Sequence, residues 1–474
     1  MAAIPDTADI DALLGHIQSA THAAVAEYRK TGHGVPSPDN VSPHPLDSAP
    51  DALTLKKAIR VLEGACERLC TTLAQPMHTI TNRSMPYEAP CMRLAVEKQI
   101  PDVLEGFPEG LHVESIAART SLDSGKLRQV LRLLATRGCF KEVAEDVFAN
   151  NRLSLTLLST NPVSAIVLAT TGECMKAVNS IPEAFVNSEY AFSASVNKSA
   201  FAYSVRGEME DAVLFDWYKA HPELGQRFDK AMIGWTRTTG SISVMNSKFD
   251  LLESFTPMKN ASSSDFPWGK MPPGTTICDI GSGVGTVSLS IAKAHSYLHV
   301  TLQDLPEPLQ QARIVWSHEL PEAVDNKRVE FVTMDFLKET PVGAQNIYYM
   351  KHILHNWPDS DAITILRNVA NAMTRESRLL IHEIVLRHVH SSSHFTESDG
   401  TALGVECAPT PLLPNYGTGN IRNYNQDVNM LAMFNCRERT CEEYAMLGAQ
   451  VGLELVKVWD LTETDMLEFC LVSS

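Results

Sequence analysis

A histidine-rich turn is where the side chains of this chain could do chemistry. The segment Asn346-Ile-Tyr-Tyr-Met-Lys-His-Ile-Leu-His-Asn-Trp-Pro-Asp359 runs off an apolar strand and presents His352 and His355 close behind it. A neutral imidazole, with a free pKa of about 6.5, can take the proton of a phenol, pKa about 10, as a new bond forms at the oxygen. A carboxylate on the other ring nitrogen would fix the tautomer and stabilise the imidazolium. Glu383, which closes the apolar run Leu379-Leu-Ile-His-Glu383, suits that role, because a charge ending a strand inside a sheet needs a specific partner. Glu438 is the second candidate. Such chemistry needs no metal, and no compact His/Cys cluster with zinc spacing is visible, so no metal ligand is assigned.

These groups act only if a reactant is held against them, and a series of apolar strands supplies the frame. Thr275-Thr-Ile-Cys-Asp-Ile-Gly-Ser-Gly-Val-Gly-Thr286 passes from a strand through a glycine turn into an apolar helix, Val287 to Ala294. Gly281, Gly283 and Gly285 permit a tight turn and close ligand approach, and the helix start offers unpaired N–H groups and a positive dipole end. Such turns serve NAD, FAD, nucleotides and S-adenosylmethionine (SAM). Thr286 stands where the dinucleotide fingerprint wants another glycine, which leans away from NAD without excluding it. A second strand, Leu298-His-Val-Thr-Leu-Gln-Asp304, ends in an acid about twenty residues past the glycines, where a ribose diol needs an acceptor. A third, Val329-Glu-Phe-Val-Thr-Met-Asp335-Phe336, offers an adenine an acceptor and an apolar face. Open α/β sheets bind ligands at the carboxyl ends of their strands, which places His355 near the cofactor.

In order, Asp279-Ile-Gly-Ser-Gly-Val-Gly285, Gln303-Asp-Leu-Pro306, Met334-Asp-Phe336, the Lys351–Asp359 turn and Asn435-Cys-Arg-Glu-Arg-Thr440 resemble the SAM-dependent O-methyltransferases of the plant caffeate type, especially the fungal branch associated with secondary metabolism. The match runs over roughly residues 85 to 474. The resemblance implies an α/β Rossmann-like class I methyltransferase domain, a seven-stranded sheet with an antiparallel C-terminal strand, preceded by an α-helical/winged-helix dimerisation domain. It implies SAM held by Asp279, Gly281, Gly283, Asp304, Leu305, Asp335, Phe336 and Lys351. The base falls on His355, not His352, with Glu383 and Glu438 flanking it; His352 and His382 read as structural. Met232 and Trp235, with Met430, Met433 and Asn435 ahead of Glu438, are the candidate substrate wall, and methionines suit an adaptable apolar pocket. The acceptor would be a hydroxyl of a small aromatic metabolite. Methyl transfer from a sulfonium is an in-line displacement, so positioning supplies much of the acceleration. Asn356 follows the base where relatives more often have Asp, and the missing charge should lower the basicity of His355. The rival reading keeps the SAM site but catalyses dehydration or a pericyclic step, the cofactor's charge acting electrostatically. The retained His355, Glu383 and Glu438 argue against it.

Composition agrees with an enzyme on small molecules. The 474 residues exceed one compact core, and the net charge of −16 argues against nucleic-acid or anionic-membrane partners. Ten scattered cysteines without CxxC pairs, no basic-apolar leader and no stretch of about 20 apolar residues make the cytosol the expected compartment. The spacing predicts helices over Ile10–Tyr28 and Leu53–Leu73, joined by a mobile proline-rich loop from Gly32 to Pro50. From Met92 to Leu155 the pattern is a winged helix. Its Lys126, Arg128, Arg132 and Arg137 could invite DNA, but the acidity of the chain and the family's use of this module favour homodimerisation. Phe215 to Met232 reads as one long helix. The Ser/Thr/Pro/Gly-rich tract from His388 to Gly419 reads as a lid or a surface excursion. The divisions expected are 1–85 (helical dimerisation segment), 86–160 (winged helix), 161–265 (helical linker lining the cleft) and 266–474 (SAM-binding domain).

Overall fold

The computed structural model describes residues 7–47, 49, 52–238, 266–390 and 403–472. Helices Ala8–Lys30 and Leu53–Leu73 form as their apolar spacing predicts and pack on each other. The described part of the connection between them is not the free loop expected. The Arg152 backbone N–H bonds the Pro38 carbonyl at 3.0 Å, Arg152 pairs with Asp47, and Lys141 lies 3.2 Å from Asp39. Acids in the loop meet cations of the next module, a pairing that loop composition alone cannot display.

That module is a winged helix. Helices Val113–Thr120 and Ser124–Thr136 are followed by β2 (Lys141–Ala144) and β3 (Val147–Ala149), and β1 (Leu111–His112) completes an antiparallel sheet in the order β1-β3-β2. Asp123 caps the second helix by accepting from the Lys126 N–H at 2.9 Å. Ile116, Leu127, Leu131, Leu134, Phe140 and Phe148 bury its core. Arg128 and Arg132 each lie 2.9 Å from Asp146, and Arg137 lies 2.8 Å from Glu88, so three of the four basic residues face acids.

The following segment is helical, with one correction. Phe215–Met232 is not one helix but parts of two, Leu214–Ala220 and Pro222–Thr238. Pro222 lacks an N–H and disfavours helical backbone at His221, so it begins a helix instead of continuing one.

The C-terminal sheet positions the chemistry. It comprises β4 (Thr276–Ile280), β5 (His299–Asp304), β6 (Val329–Thr333), β7 (Ile347–Lys351), β8 (Arg378–Glu383), β11 (Leu453–Asp460) and β12 (Asp465–Leu471). The order is β11-β12-β8-β7-β4-β5-β6, with β12 antiparallel to both neighbours. Central strands covered on both faces read as unbroken apolar runs, as in Tyr348-Tyr-Met350 and Leu379-Leu-Ile381, all at most 0 % exposed. The strand order reverses at β4, between β5 and β7, so a crevice opens beyond their carboxyl ends. Outside this sheet, β9 (Val385–Leu386) pairs in parallel with β10 (Arg439–Thr440), Val385 opposite Arg439. That short ladder brings the segment of Glu438 against the segment of Glu383.

The described end of the His388–Gly419 tract is packed, not poised over a cleft. Leu412 and Tyr416 join Leu13 and Ala65 in one buried cluster, and a Cβ on Gly64 would come within 2.4 Å of the Tyr416 carbonyl oxygen. Residues 391–402, where a lid would also have to lie, fall outside the described residues.

Candidate active site

The glycine turn after β4 is built for a ligand. Gly281, Gly283 and Gly285 have φ of +66°, +56° and +72°, a region that favours glycine. Side chains would be obstructed at two of the three: a Cβ would stand 2.5 Å from Ile353 Cδ1 at Gly281 and 2.6 Å from Leu302 Cδ1 at Gly285. At Gly283 a Cβ would meet nothing within 4 Å, so the backbone there faces open space. Asp304 at the end of β5 reaches across, accepting from the Gly283 N–H and from the Leu305 N–H, both at 2.7 Å. Each of its oxygens retains a lone pair for a diol. Phe336 flanks the same turn, 3.4 Å from a Cβ on Gly281, with its ring edge-on to Trp357. Asp335 accepts from the Leu337 N–H at 3.1 Å, and its bond to Lys338 holds its carboxyl below the usual range. A carboxylate acceptor suited to a diol, Asp304, and an apolar ring face, Phe336, therefore lie against the turn.

Asp279 lies beneath it. Its carboxylate accepts from Ser288 at 2.6 Å, fastening β4 to the helix that follows, and burial raises its pKa to about 7. Lys351, at the end of β7, is brought down to about 8 by burial, although Asp279 and Glu383 pull the other way. His382 is a structural histidine: Tyr349 Oη and Thr464 Oγ1 each lie 2.7 Å from its ring nitrogens.

The histidine turn assembles around two carboxylates. Glu383, fully buried, accepts the Ile353 and Leu354 N–H groups at 2.9 Å each, capping the one-turn helix that carries His355. His355 is 8 % exposed, and its Nδ1 lies 2.9 Å from Oε1 of Glu438 and 3.8 Å from Oε2 of Glu383. Burial disfavours the imidazolium, yet the carboxylates of Glu383 and Glu438 prevail and raise His355 to about 9. Burial likewise pushes both glutamates up. Asn356 turns its amide onto the His352 carbonyl at 3.1 Å, so the two buried acids, rather than position 356, govern the ring's proton affinity.

Arg439 is the residue that sequence reasoning missed. It is 1 % exposed and donates to the Leu354 and Trp357 carbonyls, each at 2.7 Å, and to Asp359 at 2.8 Å, clamping both sides of His355. Its place beside Glu438 was the available signal, but an adjacent Arg reads equally as a surface ion pair. The spacing also hid a second feature: donor atoms of His352, His355 and Glu383 lie within 4.8 Å of one another, a cluster invisible in sequence because Glu383 comes from the next strand.

The proposed substrate wall divides. Met232 is exposed and Trp235 partly buried on helix Pro222–Thr238, and Met430 is buried on helix Ile421–Phe434. Met433 instead packs with Phe201 and Trp217 in a separate core. Asn435 ends its helix at φ +53°, and its amide donates to the Ser195 carbonyl at 2.7 Å, tying that helix end to the segment before Val196. A groove of about 690 Å³ between Leu55–Cys70 and Thr418–Asn425 contains none of these residues.

Comparisons with known proteins add independent evidence. The O-methyltransferase domain family matches residues 269–403, and the O-methyltransferase dimerisation domain residues 87–160. The chain is 37% identical over 470 residues to "3-O-methyltransferase 2" of Phanerochaete chrysosporium, covering 98% of each chain. Among solved structures, LepI in complex with SAM superposes with a TM-score of 0.64 at 19% identity, over 87% of this chain and 94% of that one. Another, described as a pericyclic reaction enzyme, does so with a TM-score of 0.63 at 19% identity and the same coverages. At that identity the likeness speaks to the fold alone.

Proposed function

This chain belongs to the O-methyltransferase family and uses SAM to methylate a secondary metabolite, and from that premise we propose that the acceptor is an aromatic hydroxyl deprotonated by His355. The bond from His355 Nδ1 to Glu438 carries the reading, since it fixes the ring and leaves Nε2 as the nitrogen that takes the proton. Glu383 shapes the turn and, with Glu438, stabilises the imidazolium formed as the proton arrives. Asp304 with the Gly281–Gly283 backbone would hold the ribose, Asp335 and Phe336 the adenine, with Leu305, Asp279 and Lys351 around them. Bound SAM supplies the methyl group as an electrophile. The proton leaves the hydroxyl for His355 while the oxygen lone pair forms the new carbon–oxygen bond and the methyl–sulfur bond breaks, its electron pair staying on the sulfur of S-adenosylhomocysteine. Met232, Trp235 and Met430 would line the acceptor side.

A homodimer formed through the N-terminal modules, with limits near residues 85, 160 and 265, belongs to the same proposal; the match to a dimerisation domain supports it. No helix among the described residues is long and apolar enough to cross a membrane.

The test is transfer of labelled methyl from SAM to a panel of phenols, followed by mass spectrometry. His355→Ala should lose about two to four orders of magnitude in turnover, the range for a general base, with SAM affinity kept. Parallel loss of both would assign His355 to binding or folding. Product formed while SAM stays intact would favour the non-methylating rival.

A further inference from the structure

The histidine turn holds a group that methyl transfer does not use. His352 adopts φ +53°, its ring stacks on that of His355 with centroids 5.2 Å apart, and neither of its ring nitrogens has a hydrogen-bond partner among the described residues. Its Nδ1 lies 3.5 Å from Oε2 of Glu383. That oxygen belongs to a side chain with 0 % exposure, has no hydrogen-bond partner either, and stands 3.8 Å from His355 Nδ1. Glu438, also buried, adds Oε1 at 2.9 Å from His355 Nδ1 and leaves Oε2 without a hydrogen-bond partner among the described residues. Buried polar atoms in this condition are uncommon and call for an explanation.

The separations supply one. Nitrogen and oxygen donors about 2.0–2.2 Å from a tetrahedral ion stand about 3.3–3.6 Å from each other. The His352 and His355 nitrogens lie at 3.5 and 3.8 Å from the shared Glu383 oxygen, within a few tenths of that requirement. Two imidazoles with carboxylates are a donor set for zinc and its neighbours, whereas Mg²⁺ and Ca²⁺ prefer all-oxygen shells. Two carboxylates also balance the charge of a divalent ion in a buried place. We propose that His352, His355 and Glu383, with Glu438 as fourth donor, chelate a divalent transition-metal ion of the Zn²⁺ type, and that the ion silences the base.

The silencing follows from the ring. A metal bonded to the Nδ1 lone pair of a neutral imidazole leaves the ring proton on Nε2, which then donates instead of accepting. At neutral pH the ring starts as the imidazolium, so its Nδ1 proton passes to solvent, its Nε2 proton stays, and Glu438 turns from the lost N–H to the ion. Chelation itself stands on the geometry; only the silencing rests on His355 being the base.

The experiment is a titration of the full-length protein with Co²⁺, whose visible absorption reports tetrahedral nitrogen–oxygen coordination, followed by competition with Zn²⁺. His352→Asn is the variant, because Asn tolerates positive φ while removing the imidazole. We expect a tetrahedral spectrum in the wild type and at least about tenfold weaker Co²⁺ binding in His352→Asn with unchanged circular dichroism. Zn²⁺ should inhibit labelled-methyl transfer by the wild type, with recovery on adding EDTA. No tetrahedral spectrum at submillimolar Co²⁺, or equal binding by the variant, overturns the site while leaving the base reading to the His355→Ala result. A site that fills and loses affinity in the variant, yet leaves transfer undiminished, sustains chelation and overturns the silencing.

Discussion

At the scale of single residues, the proposed role of His355 requires that the ring first lose a proton. With its pKa near 9, the ring is mostly protonated at neutral pH. We expect kcat/KM to rise with pH and level off near pH 9, and Glu438→Gln to move that limb to lower pH while lowering the plateau, because the removed carboxylate is one of those holding the proton on. A limb unmoved by the variant would sink the assignment of Glu438. The sign for stability is the reverse: a His with a folded pKa above its free value of about 6.5 contributes stability fully below that pH, and the contribution is lost as pH rises through about 9. Asp304 makes a separate prediction. Replacing it with Ala removes a charged acceptor worth about 1.5–3 kcal/mol to a ribose hydroxyl, so SAM affinity measured by calorimetry should fall roughly 10–100-fold, and the melting temperature should fall as well because the Gly283 and Leu305 N–H groups lose their partner.

The element scale is where the base turn acquires its rigidity and where the sequence was least readable. Strand ends and the glycine turn were legible because buried parallel strands are apolar runs and each ended at a chemically distinct residue, Asp304, Lys351 or Glu383. The partnership of Glu383 with Glu438 was implied by resemblance, but its cause, the pairing of Val385 with Arg439, is tertiary and leaves no local trace. Arg439 was obscured because two of its partners are backbone carbonyls, which have no residue identity, and the third, Asp359, is remote in sequence. The break at Pro222 was readable in the residue itself, which has no N–H to continue a helix. Arg439→Met should leave the Leu354 and Trp357 carbonyls unpaired at about 1–3 kcal/mol each, lowering the melting temperature and turnover while SAM binding persists. Unchanged turnover in a folded Arg439→Met would show that the turn holds without its clamp.

For the whole molecule, the joint between the first helices and the catalytic sheet is ionic. Arg60, 4 % exposed, makes a two-point contact with Asp460 at 3.0 and 2.8 Å, its guanidinium lies 4.1 Å from the centre of the Tyr416 ring, and Arg387 also reaches Asp460 at 3.3 Å. Removing one partner of a buried pair costs about 3–5 kcal/mol, and the second cation places Arg60→Met toward the lower end. Urea unfolding should then become biphasic, the helical segment detaching first; a single unshifted transition would show that the joint contributes nothing.

That joint also has a bearing on how the chain is made. Helix Leu53–Leu73 leaves the ribosome long before Leu412, Tyr416 and Asp460, against which it is buried. At about 5–20 residues per second, the ribosome leaves its sticky face uncovered for roughly 20–80 seconds. Until then the helix must shelter against Ala8–Lys30 or a chaperone, so the early helices are where a stalled or truncated chain would begin to aggregate.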